Sequence, residues 1–171
     1  MQSRLGVFMG ACCFTGHRPK YFSFGTDETH PDCRGIKAFL REKSEYLINN
    51  KSVTHFISGG AVGVDTWAME EVIRLKTRYP HIMLECALPY ADMPERFALP
   101  DRERFAAIKP HLDRITCLND QYHPKCMMER NMYMVDRSEF VIAVWTGHKS
   151  GTANTINYAK EGGQTVLYME F

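Results

Sequence analysis

Four short stretches concentrate side chains and bare backbone that could hold an anion. Ser58-Gly59-Gly60-Ala61-Val62-Gly63-Val64-Asp65 leads from an apolar run into residues Val64, Trp67, Ala68, Val72, Leu75 and Tyr79, which recur at helical spacing. Glycine lets the backbone take positive φ and lets a ligand come close. A helix N-terminus offers unpaired N–H groups in a positive potential. A phosphate cradle is the chemistry this implies, and a tight turn without a ligand is the plainer alternative. Thr146-Gly147-His148-Lys149-Ser150-Gly151-Thr152 repeats the arrangement at a second helix start, where Ser150 could equally act as an N-cap. Thr15-Gly16-His17-Arg18-Pro19 adds a guanidinium able to fork onto phosphate and an imidazole able to titrate or donate. Glu129-Arg130-Asn131 adds Arg130, which shares a helical face with Met134 and Arg137.

The carboxylates need separate roles. Asp65 falls in the first turn of its helix, where the dipole favours a negative charge. It would repel a phosphate, so it is expected to meet sugar hydroxyls or to order the turn. Asp136 falls near a helix C-terminus, where a negative charge is disfavoured and points to a specific partner. The expected ligand-binding set is Gly16, His17, Arg18, Ser58, Gly59, Gly60, Ala61, Gly63, Asp65, Pro89, Arg130, Asn131, Asp136, Gly147, Ser150, Gly151 and Thr152. If catalysis occurs, the candidates are Arg130, Glu129, Asp65 and Asp136.

Metal and dinucleotide chemistry find less support. His30…Cys33 and His123…Cys126 could together give four tetrahedral zinc ligands. They match no recognised zinc spacing, and each is a proline-flanked helix start, so no metal is expected. Gly60-x-x-Gly63 lacks the leading glycine spacing of a dinucleotide fingerprint and follows the second strand instead of the first. Glu85 stands at a suitable distance but in mid-strand, which argues against NAD(P)-dependent dehydrogenation.

These stretches need a scaffold, and the pattern supplies alternating strands and helices. Strands are predicted at about 7–14, 54–58, 82–88, 114–118, 140–145 and 165–169. Helices are predicted at about 34–49, from the glycine turn to Tyr79 with Pro80 as the stop, at 126–137, and from Thr152 to Lys160 with Gly162-Gly163 as the cap. A charged helical stretch between the third and fourth strands is expected in two pieces, interrupted at Pro100. Several strands are apolar on both faces, which predicts an α/β fold of three layers, a mainly parallel twisted sheet covered on both sides by helices. Ligands in such sheets sit at the carboxyl ends of the strands, where the glycine turns fall and where Pro89 closes the third strand.

At 171 residues, 44% of them hydrophobic and 24% charged, the chain fits one soluble domain, 1–171. A net charge of +1 gives no strong field for nucleic acid or an anionic membrane, so neither is expected as a partner. Six cysteines without a CxxC pair suit a reduced, cytoplasmic protein. Leu5 to Phe14 follows Arg4, faintly like a signal peptide, but lacks a small-residue cleavage pattern and works better as a first buried strand. No apolar run approaches the ~20 residues that span a bilayer.

Taken in order, Phe14-Thr15-Gly16-His17-Arg18-Pro19, Ile57 to Asp65, Arg130 to Asp136 and Gly147…Ser150-Gly151-Thr152 resemble the YpsA-like family over nearly the whole chain. That resemblance implies a Rossmann-like fold in the SLOG superfamily, alongside the DNA-processing protein DprA and the "lonely guy" phosphoribohydrolases. It implies a nucleotide or nucleotide-derived, ADP-ribose-like ligand, a family link to bacterial cell division, and by analogy a homodimer or larger assembly; the leading expectation is a cytoplasmic nucleotide-binding sensor or adaptor more than a fast enzyme. Met127-Met128-Glu129-Arg130-Asn131 resembles the phosphoribohydrolases' Met-His-Glu-Arg-Lys segment, and Gly151-Thr152 resembles the Gly-Thr of their Pro-Gly-Gly-x-Gly-Thr-x-x-Glu. Thr155 stands where that motif has Glu. Cleaving a glycosidic bond calls for a carboxylate near the sugar. N-glycosidic hydrolysis of nucleoside monophosphates is therefore the alternative, with Asp65, Glu129 or Asp136 replacing the lost Glu. A DprA-like nucleic-acid or protein-interaction module, resembling this chain best at Ser58–Asp65, is the weaker one.

Overall fold

A computed structural model describes residues 10–170. The strands are β1 (Ala11–Gly16), β2 (His55–Ser58), β3 (Met83–Leu88), β4 (Arg114–Cys117), β5 (Phe140–Trp145) and β6 (Thr165–Glu170). The helices are α1 (Pro31–Lys51), α2 (Val64–Lys76), α3 (Leu99–Ile108), α4 (Cys126–Asp136) and α5 (Gly151–Gly162). The strands form one sheet in the order β4-β3-β2-β1-β5-β6, and every pairing is parallel. This is a Rossmann-like α/β fold.

Burial explains why the central strands read as continuous apolar runs. Cys12, Phe14, Phe56, Leu84 and Val144 face a large core with Ile36, Leu40, Leu47 and Trp67 of α1 and α2. Cys13, Ile57, Ala87 and Val141 face a smaller core with Met134, Val135 and Ala159 of α4 and α5. Both edge strands, β4 and β6, are largely exposed or half-buried. Among the described residues, no helix is long and apolar enough to cross a membrane.

Three boundaries differ from the sequence expectation, each for a local reason. α1 starts at Pro31, ahead of the start expected at about residue 34, because His30 accepts the Asp32 N–H and Pro31 occupies a first-turn position where no N–H is needed. Pro100 also sits in a first turn, that of α3, so it starts this helix and does not split one; the segment before it is only a 3-10 turn, Pro94–Arg96. α2 ends at Lys76, before Pro80, and the N–H groups of Thr77, Arg78 and Tyr79 beyond it turn back to the carbonyls of Arg74 and Leu75. The part of the first strand expected at residues 7–9 lies outside the described residues.

Candidate functional site

The sheet order reverses between β1 and β5. Consecutive strands run outward from β1 through β4 on one side, and the chain then crosses back to β5 on the other. Open parallel sheets bind ligands at such a switch point, above the carboxyl ends of the strands. Gly16, the last residue of β1, pairs with Val144 near the end of β5, so the loops that follow both strands start side by side. Between them lies a cavity of about 230 Å3 lined by Thr15, Gly16, His17, Arg18, Lys20, Tyr21, Ala61, Asp65, Met127, Arg130, Asn131, Met134, Ser150, Gly151 and Thr152, with Phe14 at its base.

The Ser58–Asp65 turn forms one wall, and much of its hydrogen bonding closes on itself. Ser58 Oγ donates to the Asp65 carbonyl (3.0 Å) and accepts the Gly60 N–H (3.3 Å). The Ala61 N–H donates to the Asp65 carboxylate (3.2 Å), and the Val64 N–H to the His17 carbonyl (3.3 Å). The Asp65 carboxylate thus lies against the turn that leads into α2, where its charge opposes the approach of an external anion. Gly63 has φ +102, and a Cβ there would fall 2.7 Å from the His17 carbonyl oxygen, so the β1 loop packs directly on the turn. Gly59 and Gly60 do not line the cavity. Gly59 lies beneath Arg130, whose Nη1 would be 2.4 Å from an added Cβ, and Gly60 packs against Cys86 and Leu88.

Arg130 is the buried charge of the site. Its Nη1 donates to the carbonyls of Gly59 and Ala87, and its Nε donates to Asn131 Oδ1 (2.9 Å). Among the described residues its Nη2 makes no hydrogen bond. Burial pulls the Arg130 guanidinium below its ordinary pKa, and the Asp65 charge acts against that shift. Burial likewise pushes the Asp65 carboxyl up, opposed by Arg130, the Ala61 N–H and Arg18. The two charges offset each other, which leaves Arg18 and Lys20 as a positive excess around the cavity.

His17 and the start of α5 supply unused hydrogen-bonding capacity. His17 is only 3% exposed, and its Nε2 has no partner among the described residues. Burial holds its imidazole below the usual pKa, and His148 adds to the effect. Across the cavity, Ser150 caps α5: it is extended (φ −164°), and its Oγ accepts the Ala153 N–H (3.4 Å). Such a cap is worth about 1 kcal/mol. The N–H groups of Gly151 and Thr152 find no acceptor among the described residues, and the first turn of α5 carries no acidic side chain. Two free N–H groups at a helix N-terminus, an unpartnered imidazole and excess positive charge suit a phosphate oxygen set.

The expected residues divide into those brought together and those left apart. Gly16, His17, Arg18, Ala61, Asp65, Arg130, Asn131, Ser150, Gly151 and Thr152 line the cavity. Ser58, Gly59, Gly60 and Gly63 support it from behind. Pro89 lies two strands away from β1 and accepts from Asn119. Gly147 is an exposed turn residue with open space around it. Asp136 ends α4 at the far side and accepts the Tyr158 hydroxyl (2.7 Å). Glu129 points to another face of α4, toward His123 and Asn119. Among the described residues Asp65 is therefore the only carboxylate lining the cavity. Arg137, grouped by spacing with Arg130 and Met134, is exposed and stacks on Tyr133 at 3.9 Å.

The His-x-x-Cys pairs serve helix starts. His30 and His123 each accept a backbone N–H two residues on, and Cys33 and Cys126 are fully buried. Among the described residues no group of three His, Cys, Asp or Glu could hold a metal. Sequence reasoning missed Lys20 and Tyr21, which line the cavity from a 3-10 turn after Arg18. Pro19 directly after the Gly-His-Arg run was the available signal for that turn.

Comparison with known proteins assigns the scaffold. The family model YpsA, described as the YspA SLOG family, matches residues 12–165. The SPbeta prophage-derived protein YoqJ of Bacillus subtilis is 31% identical over 144 residues, covering 77% of this chain and 84% of that protein. A UPF0398 protein of Bacillus thuringiensis is 25% identical over 167 residues, covering 95% of this chain and 89% of the relative. Among solved structures, DNA processing protein A from Streptococcus pneumoniae superposes with a TM-score of 0.63 at 15% identity. The corresponding protein from Helicobacter pylori, described for its single-stranded DNA binding mode, gives 0.62 at 18%. Each superposition covers 94% of this chain, but this chain spans only 50% of the first structure and 65% of the second. The chain belongs to the YspA SLOG family.

Proposed function

We propose that this SLOG-family protein is a single Rossmann-like domain that binds a nucleotide or nucleotide-derived ligand, with a phosphate at the N-terminus of α5. One observation carries the reading. The free N–H groups of Gly151 and Thr152, the unpartnered His17 Nε2 and the buried Arg130 line one cavity at the switch point of a parallel sheet. Ligand binding is favoured over catalysis. Asp65 is held by the Ala61 N–H and balanced by Arg130, and Thr155 donates to the Gly151 carbonyl (2.7 Å) where the phosphoribohydrolase motif has Glu. A sensor or adaptor in the cytoplasm fits this chemistry, and six free cysteines, five of them buried, suit a reducing compartment.

Calorimetry or thermal shift with AMP, ADP, ADP-ribose and NAD tests the proposal. A ligand present at 100 times its Kd stabilises by about 2.7 kcal/mol. The absence of a shift with all four at millimolar concentration would sink it. A second reading comes from the fold likeness to DprA, whose Helicobacter pylori member is described as binding single-stranded DNA. Retention of a single-stranded oligonucleotide that weakens steeply with salt, together with no response to mononucleotides, would favour that reading.

A further inference from the structure

A second cavity of about 330 Å3 lies between α4 and α5 and opens beside the first. The two share Met127, Asn131 and Gly151. Their chemistry differs. The first holds Arg18, Lys20, Arg130 and His17, whereas no charged side chain lines the second among the described residues. Its α4 wall is built from methionines, and two of these are left open to solvent, Met128 at 55% and Met132 at 37% exposure. Tyr158 stands on the α5 wall. Methionine thioethers are flexible, polarisable partners for a flat aromatic ring.

The junction between the cavities is unobstructed. A Cβ added to Gly151 would meet only the Asn131 amide nitrogen, at 3.9 Å, so glycine there keeps the passage clear. Asn131 Oδ1 is engaged by Arg130, which leaves its amide N–H groups free to donate at that junction. The first cavity alone is smaller than the roughly 300 Å3 at which small-molecule sites begin. The adjoining second cavity offers room for the organic part of a ligand held by its phosphate in the first.

We infer that the ligand is a nucleoside monophosphate whose base lies in the α4–α5 groove, between the methionines and Tyr158, with its sugar over Gly151. This rests on the phosphate reading of the first cavity and adds to it the class of the organic part. A second copy of this chain is the rival occupant of an exposed methionine groove.

The test is calorimetry with inorganic phosphate, ribose 5-phosphate, and AMP, GMP, CMP and UMP, on the wild type and on the double variant Met128→Ser/Met132→Ser. Both methionines are exposed, so an unchanged thermal midpoint is expected for the variant. The best of the four nucleotides should bind at least about ten-fold more tightly than ribose 5-phosphate, as burial of a base surface implies. The double variant should lose that margin and keep its affinity for ribose 5-phosphate. Equal affinity of ribose 5-phosphate and every nucleotide in the wild type overturns the inference, as does a margin that survives the double substitution. A change of oligomeric state in the variant, with the margin intact, assigns the groove to a second copy and also overturns it. If neither phosphate nor ribose 5-phosphate binds, the reading of the first cavity fails, and this inference falls with it.

Discussion

The two glycine-bearing turns look alike in sequence and differ in what they leave unused. Both follow a buried parallel strand and both open a helix. In the first, the Asp65 carboxylate folds back onto the Ala61 N–H, and the Gly60 and Val64 N–H groups are taken by Ser58 and His17. In the second, a neutral serine caps only the Ala153 N–H, and the Gly151 and Thr152 N–H groups stay open. A helix N-terminus that carries its own carboxylate has little attraction left for an external anion, and one capped by a hydroxyl keeps it. The first turn thus carries a carboxylate of its own beside N–H groups engaged at Gly60, Ala61 and Val64, and its Gly59 carbonyl holds Arg130 in place for the second.

Substitutions that break this division of labour should have graded effects. Arg130→Met removes one member of a buried charge pair and leaves Asp65 without its counter-charge. Stability should fall by about 3–5 kcal/mol by denaturant titration, and phosphate binding should vanish. Adding Asp65→Asn should recover part of the stability and none of the binding. Gly151→Asp gives the second turn a carboxylate of its own, as the first has. Affinity for AMP by calorimetry should drop about 100-fold through repulsion at short range, while stability holds or rises by about 0.3–1 kcal/mol through the helix dipole. Asp65→Asn alone makes the opposite change: it should tighten phosphate binding about ten-fold by removing a like charge from the cavity wall, at some cost in stability because Arg130 stays buried.

The smallest effect concerns pH. His17 titrates below 6.5 in the folded protein because its neutral form is the one buried. Its contribution to stability is therefore fully present above about 6.5, the unfolded value, and is lost as pH falls through the folded value, where the unfolded chain binds the proton first. Thermal midpoints followed from about pH 7.5 to about pH 5.5 should decline less in His17→Gln than in the wild type. Saturating phosphate should reduce the wild-type decline, since an anion beside the imidazole favours its charged form.

Strand and helix order was legible because apolar runs and turn residues mark the elements directly. Ile142 and its neighbours in β5 are buried on both faces, which is why that strand could be read without ambiguity. The proline boundaries were harder. Pro31 and Pro100 look like breakers in sequence, and only the first-turn position of each makes it a helix starter. At the site, position at strand ends pointed to Gly16–Arg18 and Ser150–Thr152, and the fold brings these residues to one cavity. Asp136 and Glu129, grouped with Arg130 by chemistry, lie apart from that cavity, since helical rotation about α4 turns each away from the Arg130 face. The opposite titration of two buried carboxylates is also not readable from sequence. Glu85 is pushed up by burial, yet His55, Thr116 and Tyr133 hold it down at about 2, whereas Asp65, with fewer donors, is raised. Those donors come from other elements of the fold, so no local pattern reveals them.

External phosphate is expected to meet the α5 turn and not the α2 turn. Backbone amide NMR of the 15N-labelled protein during titration with AMP tests it most directly. The Gly151 and Thr152 N–H resonances should move most, toward stronger hydrogen bonding, and those of Gly60 and Ala61 should stay nearly fixed because their acceptors lie within the protein. The largest shifts at Gly59 to Ala61, with Gly151 and Thr152 unmoved at saturation, would contradict it.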